Sequence, residues 1–76
     1  MISYYAPVDC QVTLDIYDSS GKLVARLLDR EKQPKGAHSV EWRGVDTHGQ
    51  AVSSGVYFYR LTGGKKTISR KMVLLR

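Results

Sequence analysis

From Gln11 to Tyr17 apolar and polar positions alternate without a fault, placing Val12, Leu14 and Ile16 on one side of the chain and Thr13, Asp15 and Tyr17 on the other. Successive side chains of a strand point to opposite faces, so the segment predicts a half-buried strand with those three aliphatic residues in the core. It runs into Asp18-Ser19-Ser20-Gly21, where Gly21 can take a positive φ and the Asp18 carboxylate can bond the turn backbone. A tight hairpin into the strand Lys22–Leu28 follows. Alternation slips in this return strand, which predicts a bulge.

A polar segment from Asp29 to Lys35 comes next, and Pro34 within it interrupts any helix. Strand character returns after Gly36, with His38, Val40 and Trp42 on a common face. If that face is inward, Trp42 is the largest contributor to the core and its indole N–H needs a partner there. A loop from Arg43 to Ser54 follows, with a turn at Asp46-Thr47-His48-Gly49. Gly55–Leu61 is the most β-prone run, aromatic and β-branched with apolar residues on both faces, and it predicts a central strand to which Tyr57 and Tyr59 contribute packed rings. Thr62-Gly63-Gly64-Lys65 supplies a hairpin turn, and Lys66–Arg76 returns as the last strand with Ile68, Arg70, Met72 and Leu74 on one face.

Short strands separated by turns at a spacing of about ten residues are the pattern of an antiparallel sandwich or barrel, so the fold expectation is all-β and a single domain spanning residues 1–76. The expected core is Val12, Leu14, Ile16, Val40, Trp42, Tyr57 and Tyr59. With 76 residues, 42% of them hydrophobic and 25% charged, the chain has the balance of a globular domain with room for one thin core. A catalytic cleft would hollow out most of that interior, which argues against an enzyme.

Candidate chemistry is sparse. No serine lies in a Gly-x-Ser-x-Gly elbow, no glycine-rich phosphate loop is present, and paired acids such as Glu41 and Asp46 have no cleft to shift their pKa values. Cys10 is a single cysteine with no CxxC partner and reads as a small apolar strand residue; His38 and His48 stand apart from any ligating cluster. The Asp46 loop has too few carboxylates for calcium. No cofactor or metal is expected. No stretch approaches the ~20 apolar residues of a membrane span. Residues 1–10 lack a basic start and an apolar run, so any export signal is expected elsewhere, in a longer protein of which this is a domain.

Charge is informative once divided. All seven acids lie before residue 47 and, against six bases there, leave a net charge of −1; the last 30 residues hold Arg60, Lys65, Lys66, Arg70, Lys71 and Arg76 with no acid. The excess is a C-terminal property, suited to an acidic or phosphate-bearing partner or to an edge strand guarded against aggregation. A terminal strand bearing Arg70, Lys71 and Arg76 beside Met72 and Leu74 offers an electropositive, partly apolar edge for an acidic groove or a receptor's sheet. No nucleic-acid partner is expected, since no recognition helix or interleaved Lys/aromatic motif accompanies the charge. A carbohydrate-binding role would need Trp42, Tyr57 or Tyr59 exposed in a row.

The blocks Ile2-Ser3-Tyr4-Tyr5-Ala6-Pro7, Val12–Asp18 with Gly21–Val24, Gly36–Trp42, Ser54–Leu61 and Lys71–Arg76, in that order, carry a resemblance. The chain resembles the C-terminal sorting domain, type A, of proteins exported by the type IX secretion system of Bacteroidetes-like bacteria. It is also similar to the related immunoglobulin-like domain of the flagellar hook-capping protein, to which the loop Gly44–Ser54 is closer in length. The resemblance implies a small immunoglobulin-like antiparallel β-sandwich, non-catalytic, at the C-terminal end of a secreted protein. It further implies a cargo domain upstream, recognition by the outer-membrane export machinery, and a surface location in which a lipopolysaccharide anchor can replace the domain. The family's sorting features then fall on Gly55 and Tyr57 and on Lys71, Met72, Val73, Leu74, Leu75 and Arg76. In the hook-capping alternative the module is a structural part of an assembly scaffold.

Overall fold

A computed structural model describes residues 2–75. Six strands fill it: β1 (Ile2–Ala6), β2 (Cys10–Asp18), β3 (Leu23–Gln33), β4 (Gly36–Val40), β5 (Gly55–Gly63) and β6 (Lys66–Leu74). β1 and β4 form a two-stranded sheet, and β3, β2, β5 and β6, in that spatial order, form a four-stranded one. Every pairing is antiparallel. The two sheets face each other as an all-β sandwich, the architecture the turn spacing predicts.

β2 sits at the centre because its alternation is complete. Val12, Leu14 and Ile16 are buried, the last two with no exposed surface, and around them close Ile2, Ala25, Tyr57 and Leu61, with Ala6 also buried. The aliphatic seam of β2 is therefore the core. Val40, Trp42 and Tyr59, expected alongside it, are half-buried and pack against its rim. Trp42 lies beyond the end of β4, edge-on to Tyr57 with ring centroids 5.1 Å apart, and its Nε1–H donates to the Val45 carbonyl at 2.9 Å. An indole needs a wet end for its N–H, and the loop supplies the acceptor.

One expectation is corrected. The polar segment after Leu28 is no connection, since β3 continues to Gln33 against Cys10, Gln11 and Val12. The ladder holds it there, and an edge strand exposed on its outer side needs no apolar alternation. The bulge lies here as well as nearer the turn: the register shifts between Val12 and Leu14, Arg30 takes φ 50°, and its N–H donates to Thr13 Oγ1 at 3.2 Å. The N-terminal strand β1 was not evident from alternation, yet it contributes buried Ile2 and Ala6. β5 is central by pairing, but only one of its apolar faces is covered, since Phe58 on the other is 37% exposed.

Two loops are built alike. Asp18 Oδ1 accepts from the Ser20 and Lys22 N–H groups at 2.9 and 3.0 Å, and Asp46 Oδ1 accepts from those of His48 and Gln50, both at 2.9 Å. In each, a glycine three residues after the aspartate has positive φ, 87° at Gly21 and 78° at Gly49, a conformation open to glycine at no steric cost. Both carboxyls are held below the usual carboxylate range, Asp18 chiefly by the Ser20 hydroxyl and Asp46 chiefly by the Gln50 N–H.

Candidate docking surface

The C-terminal third is a long hairpin. β5 and β6 pair from Gly55↔Leu74 to Gly63↔Lys66, around the two-residue loop Gly64-Lys65. Gly64 has φ 58° and Lys65 is not in the positive-φ region, the arrangement of a type II′ turn whose twist matches the strands. This register brings the sequence-predicted recognition residues together, with Gly55 opposite Leu74, Tyr57 opposite Met72 and Phe58 opposite Lys71.

They do not form one surface. Tyr57 is 6% exposed and its hydroxyl donates to the Ser53 carbonyl at 2.7 Å, so it serves the core. Met72 and Leu74 turn inward and are half-buried, whereas Lys71, Val73 and Leu75 are exposed. Arg76 lies outside the described residues. A row of Trp42, Tyr57 and Tyr59 for stacking on sugars is absent, since the middle ring is buried.

β6 is the edge of the larger sheet, pairing only with β5 among the described residues. Directly paired residues share a face, so Ile68, Arg70, Met72 and Leu74 look the same way as Leu61, Tyr59 and Tyr57, toward the small sheet. Two strands cannot cover four. Ile68 remains 44% exposed, and Arg70 is exposed beside it.

Where this uncovered corner meets β1, a groove of about 190 Å³ opens. Its walls are largely apolar and include Tyr4, Cys10, Leu61 and Ile68, with Lys65 and Lys66 also lining it. Tyr4 stacks on His38 with centroids 5.3 Å apart, and its hydroxyl is buried without a hydrogen-bond partner among the described residues. Burial first, then the Cys10 thiol, pushes the Tyr4 phenol above its ordinary pKa. An unsatisfied buried hydroxyl is a feature that demands a reason. Sequence reasoning missed this groove because its walls come from two stretches at opposite ends of the chain, residues 4–12 and 61–68.

The opposite face of the larger sheet is open. Asp15 is 2% exposed there, buried by its neighbours rather than by a second layer. Arg26 Nε and Nη2 donate to its two oxygens at 2.7 and 3.3 Å; Arg60 Nη2 lies 4.0 Å away. Tyr17 Oη donates to Asp15 Oδ2 at 3.4 Å and accepts from Arg60 Nη2 at 2.6 Å, while the Arg60 guanidinium sits 5.0 Å from the Tyr17 ring centroid. The Asp15 hydrogen bond leads the causes that raise Arg26 above its ordinary pKa. Nothing in the alternation reveals this cluster beyond an acid at a position where threonine and tyrosine precede and follow on the same face.

Other candidates do not assemble. Asp18 and Asp46 line a common cleft with His48, yet one oxygen of each carboxylate is committed to its own turn. Among the described residues no three His, Cys, Asp or Glu side chains gather to hold a metal ion, and no helix is long and apolar enough to cross a membrane.

Two packed antiparallel sheets, an indole anchored to a loop carbonyl and a last strand at the sheet edge define an immunoglobulin-like β-sandwich module. A family model described as the FlgD Ig-like domain matches residues 4–67, and the chain belongs to that family. The matched region ends at Thr67, so most of β6 lies beyond it. No curated protein and no solved structure matches the chain.

Proposed function

We propose that this domain is a non-catalytic docking module carried by a larger protein, and that the β5–β6 hairpin is the part its partners engage. One observation carries the reading: β6 is nine residues long, unpaired on its outer side among the described residues, and contains Lys66, Arg70 and Lys71 with no acid. Long unpaired edges invite pairing with other chains, and natural proteins blunt them unless they are used. Membership of the FlgD Ig-like family supports a structural role, as part of a scaffold on which other subunits assemble.

A second, finer reading is export. Here the domain is the address label of an upstream cargo, engaged by outer-membrane export machinery and then attached at the cell surface to protein or anionic lipopolysaccharide. Supporting it is the register that sets Gly55 and Tyr57 directly against Leu74 and Met72, next to Lys71. A fusion of the domain to a reporter, in a host with type IX secretion, separates the two. Under the export reading the wild-type fusion reaches the surface and Lys71→Glu with Arg76→Glu traps it in the cell. Under the scaffold reading neither fusion is exported. Wild-type and variant fusions exported alike would remove the role given to this strand.

A further inference from the structure

The groove beside β6 specifies what sort of partner the edge takes, and this inference rests on the docking reading. We propose that β6 accepts an extended acidic strand from a partner protein, which pairs antiparallel to it and places an apolar side chain at the groove lined by Tyr4, Leu61 and Ile68.

The geometry supplies a strand-shaped vacancy in the sandwich. Four strands are faced by two, and the uncovered ground lies at the β6 side, where Ile68 is exposed although it stands opposite buried Leu61. A strand added outside β6 satisfies its free backbone groups and extends the sheet. Side chains of the new strand then alternate between the two faces. Those directed inward meet Ile68, Arg70, Met72 and Leu74, and those directed outward meet Thr67, Ser69, Lys71 and Val73. From residue 67 to residue 74 each row contains one cation between neighbours that are apolar or hydroxylic, and Lys66 at the start of the strand adds a second to the inward row. The complementary strand therefore carries an acid in each row, on adjacent residues, with aliphatic residues elsewhere on its inward side. Tyr4 lines the same groove.

Charge excludes the simplest alternative occupant. In a second copy, β6 against β6 would crowd Lys66, Arg70 and Lys71 of both chains along one ladder, and residues 47–76 contain no acid to relieve them. Like charges directly opposite one another destabilise a strand pair.

The test uses a labelled peptide, acetyl-Val-Thr-Val-Glu-Glu-Thr-Val-Thr-amide, and its counterpart with Lys-Lys in place of Glu-Glu. Fluorescence anisotropy gives the affinity, and amide hydrogen exchange by NMR gives the site. The acidic peptide is expected to bind at least about tenfold more tightly than the basic one, since matched and clashing charges at two positions differ by more than 1.4 kcal/mol, the equivalent of tenfold. It slows exchange along β6, and Arg70→Glu with Lys71→Glu inverts the preference. Ile68→Thr weakens binding while preserving the preference for acid.

Equal binding of the two peptides overturns the proposal, as does protection away from β6 or a concentration-dependent dimer paired through β6. Binding to phosphatidylglycerol vesicles without binding to the peptide also overturns it, making the basic edge a lipid contact. Failure here is separable from failure of the docking reading. If charge reversal abolishes export or assembly while the wild type ignores the acidic peptide, docking stands and the strand-acceptor inference falls. If the peptide protects β6 but charge reversal leaves export and assembly untouched, the docking reading falls instead.

Discussion

Arg26 donates to Asp15 from the neighbouring strand at 2.7 Å, and through that contact a carboxylate stays buried on the face of a sheet that no second layer covers. The two ends of the pair are unequal, since the Asp15 side chain is 3% exposed and that of Arg26 is 45% exposed. Among the described residues, removing the arginine leaves the buried carboxylate only the long Tyr17 bond at 3.4 Å and Arg60 at 4.0 Å, whereas removing the carboxylate frees a guanidinium that water can reach. Arg26→Met is therefore expected to cost about 2–3 kcal/mol and Asp15→Asn about 1 kcal/mol, measured by urea unfolding. Equal losses, or a larger loss for Asp15→Asn, would show that the pair is not organised around the buried end.

The core predicts a second ordering. Leu14 and Ile16 have no exposed surface, while Trp42 lies at the rim and half in solvent. Leu14→Ala is expected to cost about 3–5 kcal/mol, most of the stability available to so small a domain. Trp42→Phe retains the ring contact with Tyr57 and loses the bond to the Val45 carbonyl, costing about 1 kcal/mol. If Trp42→Phe proved the more damaging in thermal unfolding, the core would be organised around the indole and not around β2.

That ordering also marks how far the sequence could be read. Val12, Leu14 and Ile16 declare themselves because a strand covered on one face must alternate, and the Asp18–Gly21 turn declares itself through the side chains its backbone needs. The far half of β3 does not, because an edge strand exposed on its outer side places no demand on residue type from Asp29 to Gln33. β1 is too short for alternation to stand out, and it pairs with β4, thirty or more residues away in the chain. The residues expected to carry recognition stand in one hairpin, where its turn chemistry predicts them, but they do not share a face. Tyr57 and Lys71 belong to different faces, and period-two geometry shows this only after the register is known. The groove at Tyr4 and the Asp15 cluster arise from long-range pairings and have no local sign.

Acid should loosen both aspartate turns. The carboxyls of Asp18 and Asp46 are depressed below the ordinary aspartate value in the folded chain, so the unfolded state takes up protons first as pH falls. Stability from these turns is then complete above the unfolded pKa and is lost as pH drops through the folded values, below about 4. Thermal unfolding from pH 6 to pH 2 is expected to show a fall that flattens in the Asp18→Asn, Asp46→Asn double variant, which keeps an oxygen acceptor in each turn but no titrating group. An unaltered acid limb in the double variant would assign the loss to other carboxyls.

The β5–β6 turn predicts a backbone effect independent of charge. At φ 58°, Gly64 occupies a region that a Cβ disfavours, although nothing lies within 4 Å of where that Cβ would stand. Gly64→Ala should therefore cost about 1–2 kcal/mol through conformation alone. Gly64→Asn should cost less, because its short polar side chain tolerates this conformation. Identical losses in both would mean that the turn relaxes to another type.

Charge reversal on β6 should change recognition without changing the fold. Arg70 and Lys71 are exposed, neither takes part in an ion pair among the described residues, and the only acids lie in the first 46 residues. Surface substitutions of this kind usually fall within about 0.5 kcal/mol of neutral. Arg70→Glu with Lys71→Glu is accordingly expected to unfold in urea at nearly the wild-type midpoint, with the same near-ultraviolet signal from Trp42. Retained stability is what gives the binding and export experiments their meaning, because a lost partner can then be traced to the edge. A stability lowered by several kcal/mol would instead show that these cations hold the hairpin to the sandwich, and β6 would have to be reread as a structural strand.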